Sequence, residues 1–269
     1  MIHVATIHYG SARWIDVQLG YLRRTMTEPY MVWASLHDVP GDHSAKFDRT
    51  ILALGDHPGK LNLVAAEISA QAQPDDLIIF LDGDAFPVVD PMPAVRHGLE
   101  TTSLVAVRRD ENFGDKQPHP CFCVVSVRDW ERIHGDWSHG GCWVGPNGEP
   151  ITDVGGNLLK ALERTGTQWT PLLRSNRVNP HPLWFGIYGG IVYHHGSGFR
   201  RAMARVDLVN RPRLSKRGRK LPYVGRVLRR INKARLQRWE ARTQRGAEAL
   251  GQEMYEKLER DPEFYKELI

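Results

Sequence analysis

Two carboxylates stand one residue apart directly after an apolar run in the first third of the chain. Residues 77–81 read L-I-I-F-L, and Asp82-Gly83-Asp84 follows at once. A short, wholly apolar run predicts a buried strand, so both side chains leave that strand at its carboxyl end. Hard ions such as Mg²⁺ or Mn²⁺ prefer carboxylate oxygens and keep positions open for phosphate, and Gly83 lets a ligand approach the backbone. The segment predicts a metal site; its alternative is an ordinary polar turn.

A second set of potential ligands lies between residues 119 and 142. Strand alternation would place Cys121 and Cys123 on one face, but the remaining spacings match no zinc-binding pair or compact knuckle. We therefore expect free, buried cysteines, and so few of them favour a reducing cytoplasm. The set consists of His119, Cys121, Cys123, His134, His139 and Cys142.

The elements that must position the two carboxylates alternate between strands and helices. Strand-like runs at 2–8, 30–36 and 77–81 are separated by helical patterns that follow Ser11 and Gly59-Lys60. This alternation predicts an α/β fold with a single open, mostly parallel sheet, in which ligands bind beyond the carboxyl ends of the strands. Further strands are expected at 104–107, 122–127 and 189–195, with an irregular loop over 130–150 and a helix that begins at Thr152-Asp153.

Charge is distributed unevenly along the chain. Residues 1–199 contain 16 Lys and Arg against 22 Asp and Glu, whereas residues 200–245 contain 17 against 2. A basic segment on a mildly acidic globule differs from the dispersed basic surface of a nucleic-acid-binding protein, so we expect no specific nucleic-acid partner.

The basic segment also has an apolar stripe at helical spacing, which predicts a basic amphipathic helix. Such a helix suits an anionic membrane surface, here through residues 211–245. Acidic polysaccharide, nucleic acid and the acidic globule are competing partners, and a helix packed on the body with a solvated basic face is an equal alternative. The stripe is formed by Val224, Val227, Leu228 and Ile231.

Over about residues 2–200 the sequence resembles nucleotide-sugar-dependent glycosyltransferases of the GT-A fold, of the Asp-x-Asp type. The likeness lies in the V-A-T-I-H-Y strand at 4–9, the K-L-N-L helix at 60–63, the turn at 82–84 and a late strand with two histidines. It implies a GT-A-like sheet and metal-dependent transfer of a sugar from a nucleotide-diphosphate sugar. The acceptor would be a polysaccharide, glycolipid or protein, and the cofactor Mn²⁺ or Mg²⁺.

The resemblance also implies a metal-ligand set. Asp82 and Asp84 would hold the ion, with a third ligand from the late strand. Because adjacent strand residues point to opposite faces, only one of His194 and His195 can reach it. His195 is preferred, since with Gly198 and Arg200 it resembles a pattern of some retaining members, and His194 is the alternative.

Donor and acceptor residues follow by the same resemblance. Asp82 and Gly83 would also meet the nucleotide sugar, and Arg200 would neutralise the leaving-group phosphate. Asp153 would face the acceptor, as general base in an inverting enzyme or as a positioning group in a retaining one; its alternative is a helix cap. The residues implied at the base, ribose and phosphates are Thr6, Tyr9, Asp38 and Lys60.

These inferences predict a nucleotide-sugar-binding half at 1–110, an acceptor-binding half at 111–200 and a basic helical tail at 201–269. A nucleotidyltransferase of sugar phosphates and a non-catalytic sugar-nucleotide-binding protein are the competing functions. No apolar run approaches the roughly 18–20 residues of a membrane span. We therefore expect a cytoplasmic protein of surface-glycan assembly, with peripheral association at the inner face of the membrane as an option.

Overall fold

A computed structural model describes residues 1–145, 148–198, 207 and 222–269 of the chain. Two compact units are present, one formed by residues 1–199 with 262–269 and the other by residues 200–261. The last eight residues, which fall in the predicted tail, thus belong to the first unit. The predicted boundaries at 110 and 200 stay predictions. Arg200 lies outside the described residues.

The first unit is built on a seven-stranded sheet with four parallel and two antiparallel pairings. This confirms the predicted α/β architecture with a mostly parallel sheet. Its strands are β1 (Ile2–Tyr9), β2 (Tyr30–His37), β3 (Arg49–Thr50), β4 (Leu77–Asp82), β6 (Leu104–Arg108), β7 (Pro118–Ser126) and β10 (Thr170–Leu172). Their order across the sheet is β10-β6-β7-β4-β1-β2-β3.

Hydrophobic clusters cover the two faces of this sheet, one containing Val4 and Leu81 and the other containing Ala5 and Phe80. Burial on both faces explains why β4 reads as a continuous apolar run. The helices of this unit are α1 (Ile15–Thr25), α2 (His57–Ser69), α3 (Met92–Leu99), α4 (Val127–Ile133) and α5 (Gly156–Thr165), with short 3-10 helices at Ser44–Lys46 and Phe264–Glu267.

A small antiparallel sheet forms beside the carboxyl end of β4. Its strands are β5 (Ala85–Pro87), β11 (Gly186–Tyr188) and β12 (Val192–His194), in the order β11-β12-β5, and β12 falls within the strand predicted at 189–195. A two-stranded ribbon, β8 (Trp143–Val144) with β9 (Pro150–Ile151), lies partly in the segment predicted as an irregular loop. The described residues therefore form three sheets rather than one.

The expectation that Cys121 and Cys123 share a face is wrong. The register between β6 and β7 shifts at Ala106/Val107, and the two cysteines lie in the clusters on opposite faces of the sheet. At this point β6 advances by one residue while its partner on β7 changes from Cys123 to His119, and this irregularity breaks the strict alternation on which the expectation depended. Cys121 and Cys123 are free and buried as predicted, but the free Cys142 is exposed.

The second unit contains the long helix α6 (Pro222–Arg260), which confirms the predicted helical tail. Val227 and Ile231 of the predicted apolar stripe are 57% and 56% exposed. The side chain of Val224 lies outside the described part of the structure. No helix within the described ranges combines the length and apolar character needed to cross a bilayer.

Candidate metal centre and donor site

Strand pairing between β5 and β12 brings His194 to the two carboxylates. β5 begins directly after Asp84, and its Ala85 lies opposite His194 on β12. The Nε2 atom of His194 is 3.5 Å from Asp84 Oδ1 and 3.7 Å from Asp82 Oδ2. Potential ligand atoms of the three residues all lie within 4.8 Å of one another. We call Asp82, Asp84 and His194 the metal centre.

Each carboxylate of the metal centre is held through one oxygen, which leaves the other beside His194. Asp84 Oδ2 accepts hydrogen bonds from the amides of Gly196 (3.1 Å) and Gly198 (2.8 Å). Asp82 Oδ1 lies 3.1 Å from His57 Nε2. The remaining oxygens, Asp82 Oδ2 and Asp84 Oδ1, are those closest to His194 Nε2.

The electrostatics keep Asp84 ionised. Burial alone would raise the pKa of this carboxyl group, but chiefly the charge and hydrogen bonding of His194, with the Gly198 amide, lower it well below its usual range. At His57, burial opposes the charged form, but the hydrogen bond and charge of Asp82 prevail and raise the pKa of the imidazole. Anionic oxygens in a mostly buried site are suited to a divalent cation.

Chemistry of the donor set decides which ion fits. Two carboxylate oxygens and one imidazole nitrogen suit Mn²⁺. They suit Mg²⁺ less well, because Mg²⁺ prefers oxygen to an imidazole nitrogen. With either ion, coordination positions stay available for phosphate oxygens. A second group, His119, Cys121 and His194, is also close enough to hold an ion. However, the Cys121 amide donates to His119 Nδ1 at 3.1 Å, and burial raises the pKa of the Cys121 thiol. The metal centre is therefore the better cation site.

His195, the preferred third ligand, is placed elsewhere. Its ring packs against Trp14 at 4.6 Å and Phe185 at 4.9 Å, and its Nδ1 lies 3.0 Å from the Tyr193 hydroxyl. Burial lowers the pKa of His195 to about 3, so the ring is neutral. The structure thus groups the alternative, His194, with the carboxylates, because neighbouring residues on the β12 segment point to opposite sides.

Thr6, expected at the donor, is fully buried below the turn of residues 82–84. Its hydroxyl donates to Gln18 Oε1 at 3.0 Å, and the Gln18 amide donates to the backbone oxygens of Asp82 and Ala85, each at 2.8 Å. Thr6 therefore supports the turn through Gln18 and is not open to a nucleotide in this structure.

Three other expected donor residues gather at the same edge of the sheet. Tyr9 ends β1 and is 47% exposed, and Lys60 Nζ lies 5.2 Å from the centre of its ring. Asp38 follows β2 with an exposed side chain. Burial lowers the pKa of Lys60 despite the opposing charges of Asp38 and Asp56. His37, whose ring lies 5.4 Å from that of Tyr9, was not predicted.

Asp153 is paired with a buried cation. Arg109 donates to its Oδ2 at 2.5 Å; the Arg109 side chain is 4% exposed and that of Asp153 is 31% exposed. The helix α5 begins three residues later than predicted, with Gly155 at its cap, so Asp153 is not the cap. A carboxylate next to a guanidinium is a weak base, which favours a positioning role over proton abstraction.

Sequence reasoning missed Arg109, His57 and the amides of Gly196 and Gly198. A sequence signal existed for His57, since Asp56-His57-Pro58 has the residue types of a helix start, and that helix is the element preceding the strand that carries the carboxylates. Arg109 and Gly196 gave no comparable signal, and Gly198 was singled out only as part of a pattern with His195 and Arg200, not for its amide.

Comparisons with known proteins find partial structural likeness. No family model and no curated protein matches the sequence. TarS of S. aureus is 11% identical with a TM-score of 0.38, over 51% of this chain and 30% of that one. The mannosyltransferase PcManGT from Pyrobaculum calidifontis, in complex with GDP-Man and Mn²⁺, is 14% identical with a TM-score of 0.35, over 51% and 47%. The glycosyltransferase GlyE of Streptococcus pneumoniae TIGR4 is 13% identical with a TM-score of 0.39, over 63% and 44%.

The chain thus spans less than half the length of these three proteins. Two of the three are glycosyltransferases by name. Because all three TM-scores are below 0.4, the roles of individual residues have to be argued from the site itself.

Proposed function

We propose that the protein is a metal-dependent glycosyltransferase acting on a nucleotide-diphosphate sugar. The observation that supports this most directly is the metal centre, in which Asp82 Oδ2 and Asp84 Oδ1 lie 3.7 Å and 3.5 Å from His194 Nε2 at the carboxyl end of β4. Mn²⁺ or Mg²⁺ held there would bind the donor diphosphate and stabilise the charge that develops on it as the glycosidic bond breaks.

The surrounding residues suit the remaining parts of a nucleotide sugar. Tyr9 offers a half-exposed ring to the base, Asp38 a carboxylate to the ribose, and Lys60 a cation to the phosphates. Arg200 is proposed as a further phosphate contact on sequence grounds alone. On the acceptor side, Arg109 holds Asp153 in one orientation, so Asp153 would accept a hydrogen bond from the acceptor hydroxyl and align it.

Turnover with a panel of nucleotide sugars and Mn²⁺ tests this function. Release of nucleoside diphosphate, lost in the Asp84→Asn variant and retained in the exposed-site control His97→Ala, is the expected result. Release of pyrophosphate from sugar phosphate and nucleoside triphosphate would instead assign a nucleotidyltransferase. Saturable binding of nucleotide sugar without any turnover would assign a binding protein.

We further propose that α6 associates with anionic lipid at the cytoplasmic face of the membrane, where a glycolipid or polysaccharide acceptor would be met. Supporting this, the helix is strongly basic over residues 226–245, and Val227 and Ile231, one helical turn apart, are both more than half exposed. An apolar pair flanked by arginines matches the interface of an anionic bilayer.

A further inference from the structure

His57 is a polar residue beside the metal centre that the proposed reaction leaves without a role. It is the first residue of α2, where Asp56 caps the helix through the Gly59 amide and Pro58 occupies the first turn. The His57 side chain is 39% exposed, and its Nε2 lies 3.1 Å from Asp82 Oδ1. The helix start thus fixes an imidazole at the outer side of one proposed ligand.

The two carboxylates of the metal centre are oriented by different kinds of group. Asp84 is held by the backbone amides of Gly196 and Gly198 on its Oδ2. Asp82 is held on its Oδ1 by the side chain of His57. In both cases the oxygen nearest to His194 Nε2 is the other one, which is therefore the oxygen available to the cation position.

We propose that His57 is a positioning residue that fixes the carboxylate of Asp82 for metal binding, an inference that rests on the proposed metal site. A carboxylate can only accept hydrogen bonds, so His57 must carry a proton on Nε2 to hold it. Without this bond the carboxylate is free to rotate about its last torsion, so neither oxygen is held toward the cation position. Loss of an outer partner of a metal ligand typically weakens metal affinity about 10- to 100-fold.

Calorimetric titration with Mn²⁺ alone tests the proposal in the full chain. His57→Ala should weaken Mn²⁺ binding at least about tenfold. His57→Gln should restore most of the affinity, because the glutamine amide can donate from nearly the position of Nε2. His97→Ala is the matched control, since His97 also pairs with a carboxylate, Glu100 at 3.3 Å, but is 86% exposed on α3. This control should bind Mn²⁺ as the wild type does.

Unchanged Mn²⁺ affinity in His57→Ala overturns the proposal, and so does an equal loss in the Ala and Gln variants. The thermal unfolding midpoint of each variant identifies any loss caused by misfolding; if His57→Ala is unfolded, the comparison of His57→Gln with the wild type decides. A wild-type protein that binds Mn²⁺ but transfers no sugar would reject the glycosyltransferase function while leaving the role of His57 intact. A wild type that binds no Mn²⁺ rejects both.

Discussion

The amide of Gly198 donates a 2.8 Å hydrogen bond to Asp84 Oδ2, although the two residues are 114 positions apart. A Cβ atom at Gly198 would lie 2.6 Å from Asp84 Cβ and 2.6 Å from Trp14 Nε1. We therefore expect Gly198→Ala to displace this amide and to weaken Mn²⁺ affinity about tenfold or more. Calorimetry provides the measurement. Gly20→Ala, at a helical position with no neighbour within 4 Å of the added carbon, is the control and should leave the Mn²⁺ affinity unchanged. Equal Mn²⁺ affinities in the two variants would contradict the role of the Gly198 amide in holding Asp84.

Asp84→Asn should abolish Mn²⁺-dependent nucleotide binding without unfolding the chain, because an amide is nearly isosteric with a carboxylate but is a poor ligand for a hard cation.

His194→Ala should weaken metal binding more than His195→Ala, since only His194 Nε2 lies near both carboxylates. Mn²⁺ titration of the three variants compares them directly. A larger loss of Mn²⁺ affinity in His195→Ala than in His194→Ala would show that His195, not His194, is the third metal ligand.

His195 should make stability depend on pH. Its pKa is lowered by burial to about 3 in the folded state, against 6.5 for an ordinary histidine, so below pH 6.5 the unfolded chain takes up a proton that the folded chain does not. Stability therefore falls as the pH is lowered from 6.5 toward 3, by up to about 1.4 kcal/mol per pH unit. Buried His8, with its pKa lowered to about 4, acts in the same direction.

Urea unfolding at pH 7 and pH 5 measures this dependence. The change in unfolding free energy between the two pH values should be smaller by about 2 kcal/mol in His195→Gln than in the wild type. The exposed-site variant His97→Gln should retain the wild-type change. An identical pH dependence in His195→Gln would mean that the pKa of His195 is the same in the folded and the unfolded chain, and would contradict the shift caused by burial.

Removing the partner of Arg109 should be costly. Asp153→Leu leaves a buried guanidinium without its carboxylate, and we expect the free energy of unfolding to fall by about 3–5 kcal/mol. Asp110→Leu, which breaks the more exposed pair with Arg108, is the matched control and should cost about 1 kcal/mol or less. Urea unfolding gives both values. Similar losses of unfolding free energy in the two variants would show that the buried guanidinium of Arg109 does not need the carboxylate of Asp153 as its partner.

Vesicle sedimentation tests the lipid-binding role of α6. Replacing Val227 and Ile231 by Ser should remove the part of binding to anionic vesicles that resists salt, because these side chains would insert into the bilayer surface. Replacing Arg226, Arg229 and Arg230 by Gln should reduce the part that salt screens. Neutral vesicles are the control. A wild-type protein that ignores anionic vesicles at low salt would end the membrane proposal.

The amino-acid sequence determined the α/β fold and the position of the paired carboxylates. The run that became β4 is buried on both faces, so its apolar character alone marks it as a strand, and Asp82 and Asp84 must then leave its end. These are local properties of consecutive residues. For the same reason the helical tail was predictable from the spacing of its apolar residues.

Only the tertiary structure decided which groups complete the site. The choice between His194 and His195 depends on the register of β12 against β5, and the faces of Cys121 and Cys123 depend on the irregular register between β6 and β7. Both are pairings between segments distant in the chain, and a shift of one residue reverses the direction of every side chain. His57 lies next to Asp82 because α2 packs beside β4 in the folded chain. Sequence periodicity carries no information on such long-range register, which is set by packing across the folded sheet.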